Sequence, residues 1–205
     1  MHWIMRKEFE IAYEKADEVL KKINFNCAER IRTASLIDAV EELLNIDVKF
    51  ADYDFRKLSK NRGSEFEEYG AAMCVSVEEK ERRAIIILNE KETAKMKRFS
   101  LVHELGHLMT QKNLTSTGYR VSTHIDMNIT SIPDEILDEK ENKFLIDEQV
   151  ANIFALLVLI PESALLEAID EFDDLDKMAD YFGVERIAML SRIKLFIDKI
   201  KEERN

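Results

Sequence analysis

The stretch RFSLVHELGHLMT, residues 98–110, restricts the fold more than any other part of the chain. His103 and His107 stand four residues apart, so on an α-helix they face the same way, one turn apart. Leucine and valine side chains surround them, which suits a helix packed inside the protein. Gly106 costs such a helix about 0.8–1.0 kcal/mol relative to alanine, so its presence predicts another backbone or a substrate close by. The alternative is a helix that carries two surface histidines.

Hydrophobic spacing along the rest of the chain predicts further helices around a small sheet. Glycine (5) and proline (2) are too scarce for an all-β fold rich in tight turns. Three short stretches, IDVKFAD, GAAMCVSVE and RAIIILNE, have the pattern of strands. The predicted fold class is α+β, a mostly helical body with a small, about three-stranded antiparallel sheet. One domain, residues 1–205, is expected to comprise N-terminal helices (1–45), the sheet (46–90), the motif helix (92–110), a second long helix (139–160) and C-terminal helices (161–205).

The connections between these elements carry their own predictions. Only the charged turn EEKER separates GAAMCVSVE from RAIIILNE, and so short a connection predicts antiparallel pairing. The first of these strands is a candidate to offer an open edge to an extended peptide. The plainer interpretation is an ordinary sheet strand, and both can hold at once. Residues 111–138 are polar and weakly patterned, which predicts a long loop. Loops of this length in compact domains often serve the function.

Charge and hydropathy exclude several classes of partner. A net charge of -11 argues against direct binding to nucleic acid or to an anionic membrane, since both need a basic surface. The segment ADYFGVERIAMLSRIKL has the outline of a helix-turn-helix, but Glu185 opens its second helix, so we expect packing against the body instead of DNA reading. The longest apolar run has eleven residues against the about 20 that cross a membrane. Two isolated cysteines and a charged N-terminus predict a reduced, cytoplasmic protein.

The two histidines predict a metal site with a catalytic base beside it. Two imidazole nitrogens one turn apart can meet a single ion at about 2.0–2.1 Å. Glu104 points about 100° away from His103, which places it beside the ion and within reach of the water that the ion activates. A carboxylate in that position can take a proton from the water and later give it to the leaving amine. This is the metallopeptidase interpretation of the HExxH pattern.

A catalytic zinc ion needs a third protein ligand, and the second long helix offers one. In DEQVAN, Glu148 stands on a helix that is otherwise apolar nearly all round, where a carboxylate is costly unless it is paired or metal-bound. Asn152 lies one turn further along the same face and can orient a ligating histidine through its outer nitrogen. Asp147 is the competing ligand. The alternative is that Glu148 lies at an exposed helix start, where acidic residues are favoured.

These motifs resemble those of a known family. RFSLVHELGH followed by EQVANIFALLVLIP is similar to the ImmA/IrrE metallopeptidases, which carry an R-F-T/S-x-x-H-E-L-G-H helix and then E-x-x-A-N-x-F-A with an LLMP-like end. The strand RAIIILNE and the tail MADYFGVERIAMLSRIKLF are also similar. The resemblance covers roughly residues 30–195.

The resemblance implies a zinc-dependent peptidase with a zincin-like core of the gluzincin type. Carried over by position, His103, His107 and Glu148 would bind Zn2+ and Glu104 would be the general base. Family members often act on a helix-turn-helix repressor of the Xre type, commonly encoded nearby, in mobile elements, toxin–antitoxin pairs or stress responses. The chain departs from the family in its long gap before Glu148, where residues 115–138 could form a lid or a partner contact. It shows no N-terminal DNA-binding module, so the repressor is expected to be a separate polypeptide.

The expected function is a zinc metallo-endopeptidase that cuts a protein substrate. Tyr119 and His124 are candidates to donate a hydrogen bond to the oxyanion of a tetrahedral intermediate, although a tyrosine or histidine in a loop is more often plain surface. One alternative is a module that holds a regulator, or acts as a toxin-like partner, without turnover. Another is a structural metal site. An intact Glu104 favours the peptidase, because a scaffold has no need of that base. The substrate and the oligomeric state are left open.

Overall fold

The computed structural model describes residues 7–26, 30–55, 69–77, 82–110, 118–123 and 139–204. Helices dominate both ends of the chain and strands lie between them. In chain order the elements are α1 (Lys7–Lys22), α2 (Thr33–Leu44), β1 (Asp47–Tyr53), β2 (Tyr69–Val77), β3 (Arg82–Asn89), α3 (Ala94–Thr110), β4 (Gly118–Thr123), α4 (Glu139–Leu159), α5 (Glu162–Glu171), α6 (Leu175–Phe182) and α7 (Arg186–Glu203). The predicted α+β class is confirmed, with helices that begin and end close to the predicted positions.

The sheet differs from the prediction in two respects. Its strand order is β1-β3-β2-β4, so it has four strands among the described residues where about three were expected. β2 pairs with β3 antiparallel, as the short connection predicted, but β1 pairs with β3 in parallel, from Asp47 opposite Arg83 to Tyr53 opposite Asn89. The sheet is therefore mixed. The connection after β1 is long enough to leave its direction relative to β3 open, so only the tertiary fold decides it.

The fourth strand lies inside the segment that was predicted to be a loop. Residues 118–123 form β4, which pairs antiparallel with β2 and has a register shift near Tyr69 and Ala71. The rest of that segment, 111–117 and 124–138, lies outside the described residues. Because β2 has β3 on one side and β4 on the other, the prediction of an open edge on β2 is wrong: both of its edges are used within the sheet.

The motif helix α3 lies between the sheet and α4. β3 alternates in burial, with Ala84, Ile86 and Leu88 facing α3 and Ile85 exposed on the other face, as expected for a half-buried strand. On its other side α3 packs along α4, and α4 in turn packs against α1. Beyond its first turn the helix has no solvent face, and every α3 residue from Arg98 to Met109 is buried. This position explains why the motif is apolar between its polar residues.

The C-terminal helices pack onto the helical body as expected. Asp174 caps α6 by accepting hydrogen bonds from the backbone N–H groups of Asp176 and Lys177. Gly183 ends α6 with φ +62°, a left-handed conformation that favours glycine, and so separates α6 from α7. Within the described ranges no single helix has the length and apolar character to cross a membrane, although the bent pair Lys143–Leu159 and Glu162–Glu171 meets those two criteria together.

Candidate metal centre

The three motif residues of α3 are completely buried. His103, Glu104 and His107 each have 0% of their surface exposed. Burying two imidazoles and a carboxylate is costly unless they are hydrogen-bonded, paired or bound to a metal. The alternative of a helix with two surface histidines is therefore wrong, because the sheet and α4 cover both sides of this helix.

Glu148 of α4 joins the two histidines. Its Oε2 lies 3.3 Å from His103 Nε2, and its Oε1 lies 3.3 Å from His107 Nε2. The two Nε2 atoms are 2.9 Å apart. One ligand atom from each residue fits within 4.8 Å of the others, and in the described part of the chain this is the group of three that could hold an ion. Asp147, the competing candidate, is not a member of this group. The exposed-helix-start alternative is not supported, since Glu148 faces the buried imidazoles.

These distances fit a tetrahedral metal ion. Two ligands that each lie about 2.0–2.1 Å from such an ion are separated by about 3.3–3.4 Å. The observed separations are close to that edge: 3.3 Å from each imidazole nitrogen to the nearer carboxylate oxygen, a different oxygen for each ring, and 2.9 Å between the two nitrogens. Two imidazole nitrogens and one carboxylate oxygen form a donor set typical of catalytic zinc, which keeps its fourth position open.

Asn152 orients the first ligand. Its Oδ1 lies 2.8 Å from His103 Nδ1, and both groups are buried. Because a carboxamide oxygen only accepts, Nδ1 carries the proton and donates it, which leaves the lone pair on Nε2 directed at the site. The contact that the spacing of Glu148 and Asn152 predicted is thus present, one helical turn apart on α4.

The charge state of Glu148 follows from its neighbours. Burial alone would raise the pKa of this carboxyl group. When no metal is bound and the rings of His103 and His107 are protonated, their hydrogen bonds to the carboxyl group and their positive charge outweigh that effect. The net result holds the pKa of Glu148 well below its usual range, so the group remains a carboxylate. A carboxylate is the form that binds a cation.

Comparison with known proteins agrees with this geometry. The sequence profile of a peptidase family, described as the IrrE N-terminal-like domain, matches residues 42–194. This range contains the sheet, both metal-site helices and most of the C-terminal helices. The chain belongs to the IrrE N-terminal-like peptidase family. No curated protein matches the chain. The resemblance seen in the motifs is confirmed, and membership indicates a peptidase, that is, a hydrolase.

Gly106 lets the two metal-site helices of this IrrE-like domain approach closely. A Cβ atom added at Gly106 would lie 2.9 Å from Phe154 Cδ1, 3.1 Å from the Ala151 carbonyl oxygen and 3.2 Å from Ala151 Cα. The neighbouring backbone that its presence predicted is therefore that of α4. Ala151 stands between Glu148 and Asn152, so this contact sets the distance from which both side chains reach the histidines.

Two buried arginines hold the metal-site helices, and neither was predicted from the sequence. Arg98 of α3 donates hydrogen bonds to the carbonyl oxygens of Phe182, of Gly183 at 3.2 Å and of Ile31 at 2.8 Å. Burial, with a smaller contribution from nearby Arg30, lowers the pKa of Arg98 to about 10.

Arg192 of α7 does the same for α4. Its Nε donates to the carbonyl oxygen of Ile160 at 2.9 Å, just beyond the end of α4, and its side chain is 1% exposed. The available signals were the first position of the R-F-T/S motif for Arg98 and an arginine within an apolar helical stripe for Arg192. Together they fasten α3 and α4 to the C-terminal helices.

The two candidate oxyanion donors remain predictions. Tyr119 lies in β4, where its backbone pairs opposite Cys74 of β2. Its side chain and the whole of His124 lie outside what the structure describes. The hydrogen bond that either residue would donate is therefore open to mutational test.

Proposed function

We propose that the chain is a zinc-dependent metallo-endopeptidase. The observation that carries this proposal is the buried group of His103, His107 and Glu148, with Glu104 next to the first ligand on the same helix. A structural zinc site usually has four protein ligands, whereas three ligands beside a carboxylate base suit hydrolysis. Zinc is proposed as the metal because two imidazoles and one carboxylate are its usual catalytic donor set.

The residues of the chain then have distinct roles. When bound, the zinc ion would polarise the peptide carbonyl group and lower the pKa of a water molecule toward about 7. Glu104 would act as the general base, taking a proton from the attacking water and delivering it to the leaving amine. Its complete burial excludes bulk water from this proton transfer. Asn152 keeps the His103 ring in the tautomer and orientation that ligation needs.

We further propose that the substrate is a helix-turn-helix repressor of the Xre type. Two observations support this: the motifs resemble those of peptidases that act on such repressors, and the net charge of the chain is -11. A DNA-binding regulator carries a basic surface, so opposite charges would speed the encounter between the two proteins. Cleavage of the regulator would then change transcription without any contact between this chain and DNA.

Metal content tests whether the chain binds zinc through the proposed ligands. Elemental analysis of wild type, Glu104→Gln and Glu148→Ala, purified in parallel, should give about one zinc per chain in the first two. Glu148→Ala should bind zinc at least about 10-fold more weakly. Little zinc in the wild type, even after zinc is supplied, would refute the proposal.

Co-expression with a helix-turn-helix repressor encoded nearby tests the activity. The peptidase shortens the repressor, whereas Glu104→Gln leaves it intact while retaining zinc. A stable complex with no shortening would identify a regulator-binding module instead. Cleavage by Glu104→Gln at the wild-type rate would remove Glu104 from the role of base.

A further inference from the structure

A cavity of about 390 Å³ lies between the end of α1 and the start of α2. It is lined by residues 23–26, which follow α1, and by Arg30, Ile31, Arg32 and Ser35, which lead into and begin α2. None of these residues belongs to the metal centre. Its volume is within the range of about 300–1,000 Å³ that is usual for sites of small molecules. The cavity is therefore large enough for a small organic ligand.

Two arginines of this cavity have no partner of opposite charge. Arg30 and Arg32 are both exposed, and in the described ranges neither side chain takes part in an ion pair or a hydrogen bond. The chain has 41 acidic and 30 basic residues, so carboxylates are plentiful, and Arg186, for example, pairs with Asp176. Two unpaired guanidinium groups thus give this cavity a positive potential in a chain whose net charge is -11.

The side chain of Arg30 is held in place by Gly183. A Cβ atom added at this glycine would overlap the guanidinium group, so the group lies directly against the backbone at the end of α6. Arg98 donates a hydrogen bond to the carbonyl oxygen of the same glycine at 3.2 Å. Burial and, to a smaller extent, the charge of Arg30 lower the pKa of Arg98, so the two guanidinium groups are close enough to repel each other. An anion beside Arg30 would offset this repulsion.

The first turn of α2 borders the same cavity. Arg32 is the N-cap residue, Ser35 stands three residues later, and both line the cavity. No side chain caps this helix, and its first turn contains no acidic residue. Backbone N–H groups at a helix start favour a negative charge nearby. This contribution adds to that of the two arginines, which supply the full positive charges.

We propose that this cavity is a binding site for a small organic phosphate, with Arg30 and Arg32 contacting the phosphate group. A guanidinium group matches two phosphate oxygens at once, and a phosphate with nearly two negative charges gains more from two arginines than a carboxylate with one. Ile23 and Phe25 are partly buried in the wall of the cavity and would contact the apolar part of the ligand. The inference is independent of the proposed peptidase function, because the cavity shares no residue with the metal centre.

Three simple anions test the chemistry of the site. The full chain is titrated by calorimetry at low salt with phenyl phosphate, inorganic phosphate and benzoate. Phenyl phosphate should bind at least about 10-fold more tightly than either of the others, because only it combines the phosphate with an apolar group. Binding of benzoate as tight as that of phenyl phosphate would refute selectivity for phosphate. Equal binding of the two phosphates would refute the contact with an organic group.

Variants then locate the site. Arg30→Gln and Arg32→Gln should each weaken the binding of phenyl phosphate by about 10-fold or more. Arg204→Gln is the matched control, because it removes the same charge at an exposed arginine that does not line the cavity. Its affinity should equal that of wild type. Urea denaturation is measured for each variant, and if Arg30→Gln is less stable through its contact with Gly183, Arg32→Gln alone decides.

Three results would overturn the proposal. Absence of phenyl phosphate binding to wild type would refute the site. Equal weakening in all three variants would show that affinity follows the net charge of the chain and not this cavity. Wild-type affinity in a folded Arg32→Gln would remove the phosphate from the position between the two arginines.

Discussion

Replacing Gly106 by alanine tests how closely the metal site depends on the packing of α3 against α4. The added methyl group would meet Phe154 Cδ1 at 2.9 Å and the carbonyl oxygen and Cα of Ala151 at 3.1 and 3.2 Å. The phenyl ring can rotate away, but the two backbone atoms move only with α4 itself. We therefore expect α4 to move by a few tenths of an ångström at this contact.

Two opposing terms decide the effect on stability. Alanine improves helix propensity by about 0.8–1.0 kcal/mol relative to glycine. Inserting a methyl group into a close-packed interface costs about 1–3 kcal/mol. Since the clash involves backbone, the second term should be the larger, and the free energy of unfolding of the metal-free protein should fall by about 1 kcal/mol. Because Glu148 and Asn152 flank Ala151, zinc affinity should fall more clearly, by about 10-fold.

The assay has two readouts on Gly106→Ala and wild type. Urea denaturation of the metal-free proteins gives the change in stability, and competition with a chelator gives the zinc dissociation constants. If the variant is about 1 kcal/mol more stable than wild type and binds zinc equally well, helix propensity alone governs this position. That result would refute the reasoning that Gly106 sets the distance between the helices.

Three further predictions concern the supports of the site and of the body. Arg98→Met removes the donor to three carbonyl oxygens and should lower the free energy of unfolding by about 3 kcal/mol; a loss below about 1 kcal/mol in urea denaturation would contradict this. Asn152→Ala should weaken zinc binding by about 10- to 100-fold while leaving Glu148 in place, and an unchanged dissociation constant would remove its orienting role. Burial, opposed by Arg192, raises the pKa of Tyr13 to about 12. The folded state therefore holds this proton more tightly than the unfolded state, and stability falls by about 1 kcal/mol between pH 9 and pH 11. Tyr13→Phe should lose less stability over that interval, and parallel curves for the two proteins would contradict the assignment.

The amino-acid sequence by itself determined the parts of this protein that depend on local spacing. Four-residue spacing on a helix places His103 beside His107, and the same spacing places Asn152 beside Glu148. The short turn between β2 and β3 allowed only antiparallel pairing. Glu148 was also recognisable, because a carboxylate on an apolar helix requires a partner. These inferences need no knowledge of which elements meet in space.

Only the tertiary structure decided the features that depend on distant parts of the chain. β1 pairs in parallel with β3. β4 pairs with β2, although it lies in a polar segment whose pattern predicted a loop. Arg98 and Arg192 find carbonyl oxygens at the ends of other elements, and backbone carbonyls carry no signature in a sequence. Local periodicity specifies which face of an element is apolar, but the partner that covers that face is chosen by packing of the whole chain.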